Sequence, residues 1–185
     1  MPPPTLTNAT TMMVESIALD IGPAREDEMS RIQADWKDSS VSAVVEPLRE
    51  KLRELLPDDR WIADEKVFGK LCHTLYERKM NPEVDAVLAT RPMLLVAREP
   101  SDPSFLYGWI ACGHVQDKLA VYFAYTKRRY RELGVMTALL LRVLELVPDA
   151  ELVYCAHGPR DSFFQKMGFV HVPLKEVVDL SVRRA

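Results

Sequence analysis

Between residues 119 and 147 the hydrophobic pattern changes its period once. Leu119, Val121, Phe123 and Tyr125 alternate with Ala120, Tyr122, Ala124 and Thr126, which predicts a strand with those two sets on opposite faces. Over residues 135–147 only Thr137, Arg142 and Glu145 are polar, which predicts a helix buried against a sheet. The joining run Arg131-Glu132-Leu133-Gly134-Val135 is short enough to leave backbone N–H groups unpaired at the helix start. Such a turn can cradle an anion, because free donors and the positive helix end point the same way.

The preceding chain alternates between periods. Residues 16–21 predict a first strand, stopped by Gly22-Pro23. Glu26-Asp27-Glu28 then suits a helix start, and Met29, Ile32 and Trp36 form the stripe of a helix ending near Lys37. A second helix is expected over 44–56, with Leu48, Leu52, Leu55 and Leu56 on one face. A third is expected over 64–80, with Val67, Leu71, Leu75 and Tyr76 as its stripe and Asn81-Pro82 as its stop. Residues 93–97 and 105–112 read as strands joined through a turn over 98–104, and a polar link over 114–118 leads into the strand at 119–126. Three strands with short links predict an antiparallel meander. After Pro148-Asp149 come a strand over 152–156, a helix opened by Gly158-Pro159 and closed by Gly168, and strands over 169–174 and 177–182. Residues 1–14 are expected to form a disordered or loosely docked arm. Residues 15–185 are expected to form one α+β domain with a helical elaboration over 44–80.

Composition narrows the class without naming a chemistry. With 48% hydrophobic and 28% charged residues, the chain can bury a core and keep a wet surface. A formal charge of −3 gives no global drive towards nucleic acid, although a local basic patch stays open. Cys72, Cys112 and Cys155 lie far apart and read as reduced, buried thiols of a cytoplasmic protein, neither bridged nor holding zinc. No apolar run reaches the roughly 20 residues a membrane span needs. The first residues have neither the basic start nor the apolar centre of a signal peptide. No Walker-type loop, Gly-x-Ser-x-Gly elbow or metal-spaced His/Cys cluster is present in the sequence.

The run RRYRELGVMTALL resembles the Arg-x-x-Gly-x-Gly/Ala segment of the GNAT acyltransferase superfamily. Arg131, Gly134, Val135 and the Ala138-Leu139-Leu140 run match, whereas Met136 stands where the family has Gly or Ala and Glu132 where a further Gly is common. SFFQKMGF resembles the family's LYEKLGF signature with Gly168-Phe169 in register, and the order of strands and helices agrees from residue 16 onward. The resemblance implies a GNAT-like fold, a central, mostly antiparallel twisted sheet of six to seven strands flanked by helices. It also implies acetyl-coenzyme A as acyl donor, direct transfer to a primary amine, and no metal. The helices over 44–80 and the segment 36–39 are similar to GNAT-like proteins of phage genomes. A catalytically degenerate binding or structural protein is the alternative reading.

The resemblance assigns candidate roles as well. The pyrophosphate is expected at Arg131, Glu132, Leu133, Gly134, Val135 and Met136, with Arg128 or Arg129 on the ribose phosphate. Lys127 belongs to the same basic run, for which nucleic-acid binding or a solvated turn are the other readings. Tyr125, Thr126 and Phe164 would line the cofactor groove, where strands 119–126 and 152–156 splay apart. Ala120, Ala124 and Ala156 leave ligand space there or permit close helix packing. The family's acid, a tyrosine in the last helix, falls on Phe164, which has no hydroxyl. Tyr154 and Tyr125 are the substitutes, each equally suited to packing. His157 is the expected base, against a plain reading as a surface loop residue; His114 ranks behind it, and His73 reads as structural. The expected partner is a small-molecule or protein amine, and the expected state a monomer or homodimer.

Overall fold

The computed structural model describes residues 10–14, 17–115, 118–155 and 161–172. Its strands are β1 (Thr10–Val14), β2 (Ile17–Pro23), β3 (Met93–Glu99), β4 (Asp102–Val115), β5 (Lys118–Thr126), β6 (Glu151–Tyr154) and β7 (Val170–His171). They form one sheet in sequence order. Pairing is antiparallel from β1 through β5, then parallel between β5 and β6 and between β6 and β7. The helices are α1 (Met29–Leu55), α2 (Arg60–Ala63), α3 (Glu65–Ala89), α4 (Val135–Leu146) and α5 (Asp161–Lys166). This is the mixed, mostly antiparallel α+β sheet that the sequence predicts.

Each face of the sheet has its own apolar layer. On one, α4 and α5 place Val135, Ala138, Leu139, Leu140, Val143 and Phe164 against Leu19, Leu95, Ile110, Val121 and Tyr154. On the other, α1 and α3 place Ile32, Trp36, Val84 and Val87 against Val96, Trp109, Ala120 and Tyr122. A buried ion pair fixes α1 to the sheet. Arg98 Nε donates to Glu28 Oε1 at 2.7 Å, while its Nη2 donates to Glu28 Oε2 and to the Pro23 carbonyl, both at 2.7 Å. Burial works to raise the Glu28 pKa, but the Arg98 hydrogen bond, the Arg25 N–H and both arginine charges hold it below the ordinary value.

Several boundaries differ from the sequence reading. Residues 10–14, assigned to a loose arm, pair with β2 as β1. The helix expected to end near Lys37 continues unbroken to Leu55, because Asp38-Ser39 weakens a helix without the backbone block of Gly or Pro. The third helix runs through Pro82 to Ala89. A proline inside a helix costs about 3 kcal/mol, and burying Val84 and Val87 beyond it contributes about 1.5–3 kcal/mol each. Asp64 caps this helix by accepting from the Lys66 and Val67 N–H groups at 2.9 and 3.1 Å. Its buried stripe is Phe68 and Cys72, one residue on from the expected Val67 and Leu71, which face solvent with Leu55 and Leu56. The expected strand over 177–182 lies outside the described residues.

Candidate functional site

The alternation in β5 is broken by a bulge. Ala111 pairs with Phe123 but Cys112 pairs with Val121, so Tyr122 is the extra residue. Tyr122, Phe123 and Tyr125 consequently all pack on the α1 side, while Val121 and Ala124 pack on the α4 side. The sequence expectation that Leu119, Val121, Phe123 and Tyr125 share a face therefore fails beyond Val121. Parallel pairing with β6 stops at Val121 opposite Tyr154, closed by the Cys155 N–H donating to the Val121 carbonyl at 2.9 Å. Among the described residues, the edge of β5 from Tyr122 to Thr126 has no strand partner on that side. The pairing ends within the stretch where the two strands were expected to splay.

At the open end of β5 the chain makes a 3-10 turn (Arg128–Tyr130) and then enters α4. Glu132 and Gly134 both adopt left-handed backbone, φ 74 and 78 degrees. Gly134 tolerates this freely, whereas Glu132 is strained by about 1–2 kcal/mol. The first helical bond runs from the Ala138 N–H to the Gly134 carbonyl at 2.9 Å. Among the described residues, no backbone acceptor pairs with the N–H groups of residues 132–137. Arg131 Nε donates to the Thr126 carbonyl at 3.2 Å, holding its guanidinium across the end of β5. Tyr130 anchors the turn edge-on against Phe105 and Tyr107, with ring centroids 5.7 and 4.8 Å away. The Tyr107 hydroxyl donates to Glu99, and burial with that bond pushes its pKa up to about 12, so it stays a neutral donor.

The expected cofactor residues divide by burial. Val135 is buried in the α4 layer and Met136 packs half-buried against it, pointing its bulk into the core. Arg128, Arg129, Arg131 and Glu132 are exposed around the turn, and Leu133 is half-buried. Thr126 is buried, and its Oγ1 has no hydrogen-bond partner among the described residues. Gly108 lets β4 approach there: a Cβ would stand 2.4 Å from the Tyr125 carbonyl oxygen. The Tyr125 ring turns to the α1 side, 6.1 Å from Trp109, so only its backbone borders the opening. Phe164 is buried and stacks on Tyr154 at 5.0 Å and 12 degrees. The Tyr154 side chain is wholly buried, with its hydroxyl unpartnered among the described residues. His157 lies outside the described residues, as does Ala156. His114 is exposed near the end of β4, and His73 pairs with Glu77 at 3.3 Å on α3.

The cysteines are free and buried. Burial pushes the Cys112 thiol far up and Cys155 up to about 12, so neither is a nucleophile. Among the described residues, no cluster of three His, Cys, Asp or Glu side chains could hold a metal ion, and no helix is long and apolar enough to cross a membrane.

The fold also assembles a group that the sequence reading passed over. Asp35 on α1 is half-buried beside the Trp109 indole of β4 and the Lys127 ammonium past β5. Burial raises its pKa above the ordinary value, while Arg31 and Lys127 oppose the rise. A carboxylate beside the Ile32 and Trp36 stripe resembles any solvated helix position until distant strands arrive.

No protein-family model matches the sequence, and no curated protein matches it either. Among solved structures, PaiA N-acetyltransferase of Thermoplasma acidophilum, in complex with coenzyme A, is similar at 13% identity and TM-score 0.45, over 81% of this chain and 86% of its own. A GCN5-related N-acetyltransferase of Rhodopseudomonas palustris is similar at 15% identity and TM-score 0.46, over 84% and 83%. A transcriptional regulator of Bacillus halodurans is similar at 13% identity and TM-score 0.44, over 82% and 92%.

Proposed function

We propose that this chain is an acetyl-coenzyme-A-dependent N-acetyltransferase of the GNAT type, passing the acetyl group directly to a primary amine. One observation carries the reading: among the described residues β5 loses its β6 partner after Val121, and the strand's end leads straight into a turn whose N–H groups have no backbone acceptor. The two features form one continuous track, with donors for a thioester and its arm along β5 and for a pyrophosphate at 132–137. Arg131, held across the end of β5, and the exposed Arg128 and Arg129 supply cations for phosphates at the same end.

The chain's own contribution to the reaction is orientation and charge. Backbone donors on the open edge of β5 would polarise the acyl carbonyl, and the α4 start would hold the phosphates. Phe164 offers no proton to a departing thiolate, and Tyr154, whose ring stacks on Phe164, carries the hydroxyl beside it. The second reading, a GNAT-fold protein that binds without turnover, in a phage-associated setting for example, is favoured by that missing hydroxyl and by the full burial of Tyr154.

Calorimetric titration of acetyl-coenzyme A separates the readings when run beside an Arg131→Glu/Gly134→Glu variant checked for folding. Micromolar binding lost in the variant, with thiol release on adding an amine, is the expected result. Binding without thiol release for any amine would favour the second reading, and no binding to the folded wild type would remove the acyltransferase reading and leave a structural or partner-binding role.

A further inference from the structure

We propose that the chain pairs with a second copy of itself through the outer face of the α1–α3 hairpin, the two hairpins packing antiparallel about a two-fold axis. The pairing needs neither cofactor nor substrate and is independent of the acyltransferase reading above.

The two helices run in opposite directions. Near one end of the hairpin Gln33 Nε2 on α1 donates to Asp85 Oδ1 on α3 at 2.9 Å. Near the other, the Arg49 guanidinium lies 4.7 Å from the centre of the Phe68 ring and 3.7 Å from Glu65. At this second end the residues turned inward are Arg49 on α1 and Phe68 and Cys72 on α3, all buried. The aliphatic side chains beside them are turned outward. Leu55 is 66% exposed, Leu56 43%, Val67 48% and Leu71 41%, while Leu52 is half-buried.

Helix geometry gathers these residues on one face. Val67 and Leu71 are four positions apart and line up along α3 to one side of Phe68. Leu52 and Leu55 follow Arg49 by three and six positions, and they line up along α1 in the same rotational sense from Arg49. In antiparallel helices that meet at Arg49 and Phe68, both rows then fall on the same side of the seam. The result is a contiguous aliphatic strip across two helices, which monomeric surfaces seldom carry, in contrast to leucines exposed one by one.

The charges bordering the strip select its occupant. The hairpin tip, residues 57–65, has four acidic side chains and one basic, whereas the flanking turns, 50–56 and 66–71, have four basic and two acidic. Asp64 is engaged as the cap of α3 and Glu65 with Arg49, so Asp58 and Asp59 are the tip's outward charges. Lys51, one turn before Leu55, and Lys70, one turn past Val67, are exposed along the outer edges of the strip. A two-fold axis lays each acidic tip on the partner's basic flank while the two strips meet between them. A parallel arrangement would set tip against tip and repel. A strongly acidic or strongly basic partner would meet its own sign on one half of the face. The paired hairpins form a four-helix packing with the leucines in its seam, an apolar centre within a charged rim.

Sedimentation equilibrium of the full chain reads the association directly. Wild type should dimerise in the micromolar range. Leu55→Glu/Leu71→Glu, checked for folding by circular dichroism and melting, should weaken the dimer by about 100-fold or more. Two charge reversals keep the test decisive where the leucine variant misfolds. Asp58→Lys/Asp59→Lys and Lys51→Glu/Lys70→Glu should each weaken self-association by about tenfold, and an equimolar mixture of the two should recover the wild-type affinity. Only the mixed pair restores opposite charges at both ends. Wild type that stays monomeric at about 100 μM, a dimer indifferent to the leucine variant, or no recovery in the mixture would each overturn the proposal. A monomeric wild type whose leucine variant melts lower would do so as well, by showing that another part of the same chain covers the strip.

Discussion

Replacing Arg98 by Met should be among the most damaging single changes in the chain, because it leaves the Glu28 carboxylate buried without its main partner. Arg98 is 2% exposed and Glu28 8%, and three bonds of 2.7 Å bind the guanidinium to Glu28 and Pro23. Removing one member of such a buried pair costs about 3–5 kcal/mol. At about 2–4 °C per kcal/mol for a chain of this size, the expected fall in Tm is roughly 6–20 °C. The double variant Glu28→Gln/Arg98→Met should recover a good part of this loss, since no charge is then stranded. Acid dependence gives a second readout with a definite sign. The Glu28 pKa in the fold is depressed below 4.5, so the pair's contribution is complete above that pH and is lost as pH falls through the lower folded value. Wild type should therefore lose stability on acidification more steeply than Arg98→Met. Urea denaturation from pH 3 to 7 measures both effects. A cost below about 1 kcal/mol for Arg98→Met, with unchanged acid dependence, would refute the claim that this pair clamps α1, and with it Asp35, onto the sheet.

Three further outcomes follow from the site. Gly108→Ala places a Cβ 2.4 Å from the Tyr125 carbonyl oxygen, so β5 must shift; a loss of about 1–3 kcal/mol and weaker acetyl-coenzyme A binding are expected by melting and calorimetry. Glu132→Gly relieves left-handed strain and removes a carboxylate from the anion turn. It should tighten acetyl-coenzyme A by roughly 2–5-fold with stability kept within about 1 kcal/mol, and weaker binding would count against the turn as phosphate site. Tyr154→Phe deletes a buried hydroxyl that has no described partner, so stability should rise by about 1 kcal/mol. If that hydroxyl serves the departing thiolate, thiol release should fall about 10²-fold in the same variant, and unchanged turnover would remove Tyr154 from the reaction.

The strand-turn-helix unit from β5 to α4 was legible because its hydrophobic pattern is strong and its punctuation, one glycine in a basic turn, has a backbone cause. The bulge at Tyr122 was not. In the run from Leu119 to Thr126 almost every residue suits either face, so a one-residue shift leaves no trace in the apolar pattern. The Phe68 and Cys72 stripe was hidden for a related reason, since Val67 and Leu71 compete for the same face until α1 and the sheet select the rotation. Asp35 was invisible because its character comes from Trp109 and Lys127, which only tertiary structure brings to it. The burial of Tyr154 was not legible either, because Phe164, which stacks across it, reaches it only in the folded chain.

Amide hydrogen exchange with and without acetyl-coenzyme A tests the central claim most directly, because it reads the backbone groups on which the account depends. Slower exchange confined to residues 132–137 and to the open edge of β5 at 122–126 is predicted. Protection that appears elsewhere and leaves both stretches unchanged would contradict the account.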